Sequence, residues 1–177
     1  NPYMRFLIGL ATLSLSYCLQ AETWNRLGIE FNAPTDLFSK NEHLFKKTSY
    51  EIADHLTTLL SDNIPQEIKL FLRLDEAAIV FDQTNATDAL FIAPGNYRGY
   101  REEELRNKSV IVINPAIIQQ RLFLRLISHE FFHLIHHELN PKELDWIKEG
   151  LAQYFEYIVH NSINYTNVET ALKKSTF

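Results

Sequence analysis

Two short stretches carry residues whose types and spacing can do chemistry: His129-Glu130-Phe131-Phe132-His133 and Trp146-Ile147-Lys148-Glu149-Gly150. In a helix, residues four apart lie on one face. His129 and His133 would therefore aim two imidazoles at one metal ion, with Glu130 beside them as a base for water, the pattern of metal-assisted hydrolysis. A catalytic zinc takes three protein ligands and keeps one position open. Glu149 is the best third ligand, because a carboxylate set among Trp146, Ile147, Leu151, Ala152 and Phe155 is unusual to bury without a purpose. His136 and His137 follow on the same helix. They fall near its end, where the helix dipole also favours imidazole, and are weaker candidates.

The elements that must position these residues decide how much the pattern weighs. Val110-Ile111-Val112-Ile113 is continuously apolar and β-branched, which predicts a buried strand over Ser109–Asn114 that Pro115 terminates. A long helix from about Ala116 to His137 should follow. Its middle is apolar nearly all round, which predicts burial through the domain centre. Buried imidazoles cost several kcal/mol unless satisfied, roughly as for any buried polar group, and coordinating a metal satisfies them. Asn140-Pro141 ends this helix and should fold a second one, about Asp145 to Val159, against it, with Gly150 permitting close approach.

Upstream, Thr23–Lys40 reads as an extended lead-in or a short strand near Leu27–Phe31. Asn41–Ser61 reads as an amphipathic helix that leaves His43 and His55 at the surface. Ile68, Leu70, Leu72 and Leu74 alternate with polar or outward residues and predict a strand. Glu76–Phe81 fits either a helix or a strand, and Ala89–Ala93 a strand ended by Pro94-Gly95-Asn96. Tyr97–Asn107 reads as a solvated, mobile loop, and its run Glu102-Glu103-Glu104 as surface charge. Val168–Lys174 should form a short terminal helix.

Length 177 suits one domain with a real core, assigned to residues 22–177. A net charge of -5 without any basic run gives no support for nucleic-acid binding. Met4-Arg5 followed by a mostly apolar run to Leu19 predicts a signal peptide over residues 4–21, hence an exported, periplasmic or secreted protein with no stable membrane span. Cys18 is the single cysteine, so residues 22–177 hold no disulfide, Cys-based zinc site or thiol nucleophile.

His129-Glu130-Phe131-Phe132-His133, together with Trp146-Ile147-Lys148-Glu149-Gly150-Leu151-Ala152-Gln153-Tyr154-Phe155-Glu156, resembles the gluzincin zinc peptidases, the thermolysin- and aminopeptidase-like superfamily. The likeness covers about residues 88 to 160. It implies an α+β, zincin-like domain, in which a small mixed β-sheet packs on a buried HExxH helix followed by a Glu-bearing helix. It further implies a Zn2+ cofactor on His129, His133 and Glu149, and hydrolysis of peptide or protein substrates by a metal-activated water with Glu130 as general base. Gln153 stands where such proteins often carry an acid that supports a ligand imidazole. The resemblance also asks for an oxyanion donor from a later helix, for which His160 is preferred over Tyr157 and Tyr165. The strand at Val110–Ile113 could offer its edge to an extended substrate. The short chain implies an open cleft or a protein partner that completes it. The alternative is a zinc-binding domain of the same fold that acts as a protein-interaction module without cleaving.

Overall fold

The structure, a computed structural model, describes residues 20–69 and 74–163. The expected leader, apart from its last two residues, lies outside the described residues, as do Tyr165 and the expected terminal helix. Among the described residues, no helix is long and apolar enough to cross a membrane.

A tight hairpin opens the fold, where the sequence suggested an extended lead-in. Strand β1 (Ala21–Arg26) pairs antiparallel with β2 (Ile29–Pro34) across Leu27-Gly28. Both turn residues have positive φ, 51° and 82°, the backbone of a two-residue turn whose twist matches that of the strands. Leu27 is an unusual occupant of such a position, which hides the turn from a reader of the sequence.

Helices α1 (Thr35–Lys40), α2 (Glu42–Asn63) and α3 (Gln66–Lys69) follow, then a 3-10 turn at Leu74–Glu76 and strand β3 (Ala77–Phe81). The strand expected over Ile68–Leu74 is not formed in its described part. The amides of Ile68 and Lys69 both donate to Pro65 O, at 3.1 and 3.2 Å, and this closes a helical turn there. Strand β4 (Ala89–Ile92), the short helix α4 (Glu102–Leu105) and strand β5 (Ser109–Ile113) complete the sheet.

The order is β1-β2-β3-β5-β4, with parallel β2–β3 and β3–β5 ladders and antiparallel outer pairs. Strand β5 therefore lies between two neighbours, and the edges of the sheet are β1 and β4 rather than Val110–Ile113. Alternation sorts the central strands between two cores. Ile79, Phe81, Ile111 and Ile113 face α2 and the following helix. Ala78, Val80, Val110 and Val112 face Tyr97, Tyr100 and Leu105. Burial on both faces explains the uninterrupted apolar runs of β3 and β5. It also corrects the reading of Tyr97–Asn107 as a mobile loop, since this segment covers the back of the sheet. The Tyr100 hydroxyl donates to Asn32 O at 3.0 Å and Phe81 O at 2.9 Å, and the Arg101 guanidinium meets Glu30 at 3.2 Å.

Helix α5 (Phe123–Leu139) begins later than Ala116. Asn114 Oδ1 accepts from Ala116 N at 3.0 Å and caps a 3-10 turn, Pro115–Ile117, which holds the chain back from continuing as an α-helix. Helix α6 (Asp145–Ile163) packs on α5 through a narrow stripe of Ala152, Phe155 and Val159, with the Phe132 and Phe155 rings 4.9 Å apart. Ala152 is fully buried. A Cβ on Gly150 would meet nothing within 4 Å, so the expected close approach of the helices at Gly150 is not found. Among the described residues the architecture is thus mixed α+β, with a five-stranded sheet and six helices.

Candidate metal centre

Helix α5 packs against the edge strand β4 with one face toward the core. Ile127, Phe131, Leu134 and Ile135 are buried there, and the 3.6-residue period leaves His129, Glu130 and His133 half-buried toward β4 and α6. The four-residue spacing does what it implies. The Nε2 atoms of His129 and His133 lie 3.1 Å apart. Glu149, on the first turns of α6, brings Oε2 to 3.4 Å from His129 Nε2 and Oε1 to 3.1 Å from His133 Nε2. One ligand atom from each of the three residues falls within 4.8 Å of the others, close enough to hold a metal ion. Glu149 is 57% exposed, so the expected burial in an apolar setting is not found. Its neighbours Trp146 and Leu151 also face outward.

The orientation of His129 is fixed from behind. Its Nδ1 meets Glu156 Oε2 at 3.0 Å, and Glu156 also accepts from Arg125 Nε. A carboxylate only accepts, so the imidazole proton sits on Nδ1 and the lone pair of Nε2 is aimed at the cluster. This is the arrangement that holds a ligating histidine in one tautomer. The residue in the supporting role is Glu156 and not Gln153, which is exposed. The sequence carried the signal: Glu156 lies seven residues after Glu149, two helical turns along the same face.

Glu130 anchors to the edge strand, where its Oε2 accepts from the Phe91 amide at 2.7 Å. Burial pushes its carboxyl above the usual range, helped by Glu149 and Glu156, while the Phe91 amide and His129 pull the other way. Burial, with His129 beside it, holds the His133 imidazole below its usual value against the pull of Glu149. Both shifts disfavour charge on groups held away from water. His129, Glu130, His133 and Glu149 open together into a cavity of about 230 Å³ beside Leu90 and Phe91.

No protein family, curated protein or solved structure matches this chain.

The other histidines go elsewhere. His136 is buried against Phe132, with ring centroids 5.8 Å apart and its Nδ1 without a partner. His137 packs its ring 5.8 Å from that of Phe91 and lines a second cavity. His55 is half-buried, and its Nε2 lies 2.6 Å from Ser128 Oγ. His160 lies eleven residues beyond Glu149 on α6, which at 1.5 Å per residue carries it about 16 Å along the axis, away from the cavity. Tyr157 is exposed and does not line that cavity either.

Proposed function

We propose that this chain is a zinc-dependent peptidase in which His129, His133 and Glu149 hold the metal and Glu130 is the general base. The observation that carries the reading is the spacing of the three ligand atoms. Zinc binds nitrogen and oxygen at about 2.0–2.1 Å, and the edges of a tetrahedron of that size are about 3.3 Å long. The two Nε2 atoms lie 3.1 Å apart, close to one such edge, Glu149 sets Oε1 3.1 Å from His133 and Oε2 3.4 Å from His129, and one ligand atom from each residue falls within 4.8 Å of the others. Two histidines and a carboxylate with an open side are also the donor set of zinc hydrolases rather than of closed structural sites. When bound, zinc lowers the pKa of a coordinated water and polarises a carbonyl.

The chain's own residues supply the rest. Glu130 shares the cavity with the ligands, and its raised pKa suits a group that takes a proton from water and returns it to a leaving amine. The Phe91 amide keeps that carboxylate oriented. Glu156 keeps His129 in its ligating tautomer. Strand β4, an edge strand of the sheet, lines the cavity through Leu90 and Phe91. Exported location and an expected protein partner belong to the same reading, and they rest on the sequence.

One observation favours the second reading, a metal-binding module that does not cleave. Neither His160 nor Tyr157 reaches the cavity, so the donor expected from the later helix is missing from the described residues. A single experiment separates the two. Zinc content is measured by metal analysis, and cleavage of a mixed peptide library is followed by mass spectrometry for the native chain and Glu130→Gln. The peptidase reading expects one zinc per chain in both proteins and cleavage in the native chain alone. Stoichiometric zinc with an untouched library selects the module, and absence of zinc removes both readings.

A further inference from the structure

Beside the ligand cavity lies a second one of about 330 Å³, which shares His133, Phe91 and Lys148 with it. Its chemistry differs. The ligand cavity carries Glu130, Asp145 and Glu149, whereas the second is walled by Lys148, His133, His137 and Asn96 with the apolar Phe91 and Ile92. No carboxylate lines it among the described residues. In a chain where 22 acids outnumber 17 lysines and arginines, a wall of that composition runs against the average.

Lys148 is the residue that gives the wall its sign. Its side chain is only 26% exposed, and its one ion pair among the described residues is with Asp145 Oδ1 at 3.6 Å. Asp145 itself is 99% exposed, so water screens that pair almost completely. The neighbouring Glu149 carboxylate is turned to the two imidazoles. The Lys148 ammonium is thus half-withdrawn from water without a well-placed counter-ion. A protein ammonium in that state gains most from an incoming anion that can accept its hydrogen bonds. Asn96 offers an amide, and His137, held against Phe91, offers a second ring nitrogen.

We infer that this cavity is a carboxylate-binding subsite, in which Lys148, supported by His137, selects peptides that carry an acidic side chain or a free C-terminal carboxylate next to the bond over the ligand cluster. The inference names the substrate class for the peptidase reading and rests on it for its meaning, although the binding it predicts is independent of turnover. The two carboxylate sources share one chemistry, and the test separates them.

The experiment uses the full chain as Glu130→Gln with zinc added, so that no cleavage competes with binding. Fluorescence anisotropy reads the affinity for labelled short peptides that differ by one residue, Glu, Gln or Lys, each with a free or an amidated C-terminus. A charge-assisted contact in a half-buried site should give about a 10-fold preference for the carboxylate over its amide. If Glu exceeds Gln, the side chain is the source; if the free terminus exceeds the amidated one, it is the terminus. The preference should fall to within about twofold in Lys148→Met, which keeps the stem, and persist in Lys148→Arg, which keeps the charge. Circular dichroism checks that both variants are folded. The inference is overturned by equal binding of carboxylate and amide, by a preference that survives in Lys148→Met, or by absence of binding to every peptide. Its failure is distinct from that of the peptidase reading: a native chain that cleaves without carboxylate preference sinks only the subsite. A preference without cleavage sinks only the peptidase.

Discussion

Glu156→Gln is the sharpest probe of the proposed centre, because it changes one atom type at a residue that touches no metal. Glu156 is 12% exposed and accepts from two donors, His129 Nδ1 at 3.0 Å and Arg125 Nε. Supporting contacts of this kind are worth about 10–100-fold in metal affinity, or about 1.4–2.7 kcal/mol. Two features place this one near the upper end. The pair is mostly shielded from water, so the lost charge is little screened. The amide has only one oxygen for two donors, so either His129 or Arg125 ends up facing an NH2 group. Arg125, 38% exposed, can turn to solvent, but His129, 14% exposed, cannot. We expect about a 100-fold loss of zinc affinity in Glu156→Gln, measured by competition with a chromophoric chelator at fixed pH and ionic strength. Gln153→Ala, at an exposed position, should change it by less than about twofold, as surface substitutions do. A folded Glu156→Gln protein with native zinc affinity, or equal losses in the two variants, would refute the assignment of Glu156 as the support for His129.

Two predictions concern the scaffold. Tyr100→Phe removes a buried hydroxyl that donates to the carbonyls of Asn32 and Phe81, and should destabilise the chain by about 1–3 kcal/mol in urea unfolding, while zinc affinity is unchanged. His55 should make stability pH-dependent: burial lowers its pKa in the folded state from the usual 6.5, so the unfolded chain binds the proton more readily. Its contribution is complete above pH 6.5 and is lost as pH falls through the depressed folded value. Unfolding midpoints of the native chain and His55→Gln, compared at pH 8 and pH 5, should converge at the lower pH, and parallel curves would count against it.

Legibility in the sequence followed how local the determining interactions are. The helix face carrying His129, Glu130 and His133 was readable because a four-residue repeat fixes it within one element. Strand β5 was readable because burial on both sides writes itself as an unbroken β-branched run. The hairpin was not, since Leu27 adopts a positive φ that its side chain disfavours and only the paired strands enforce. The role of Tyr97–Leu105 was hidden among charges at Arg98, Arg101 and Glu102–Glu104, although three spaced apolar residues do the covering. Glu149 was placed correctly near the histidines for a partly wrong reason. Its apolar neighbours suggested burial, but half of that face of α6 looks to solvent, and the carboxylate is held by geometry between α5 and α6.

That exposure has a consequence for stability. Helix α6 buries only Ala152, Phe155 and Val159 among its described side chains, while Trp146 is 73% exposed and Tyr154 61%. Its first turns meet α5 through Glu149, whose carboxylate faces the His129 and His133 imidazoles. An ion on all three residues would therefore tie α6 to α5, and binding free energy becomes folding free energy. At free zinc about 1,000-fold above its dissociation constant, the gain is about 4 kcal/mol. For a domain of this size each kcal/mol moves the midpoint by about 2–4 °C, so chelation should lower Tm by about 10 °C. Hydrogen exchange should quicken first in residues 145–152, before the sheet. Glu149→Ala should have a zinc-independent Tm close to that of the chelated chain, because it lacks the tie in either state. A Tm unchanged by chelation in a protein shown to hold zinc would mean that the stripe of Ala152, Phe155 and Val159 docks α6 unaided, and that the centre is built on a rigid pair of helices rather than completed by its metal.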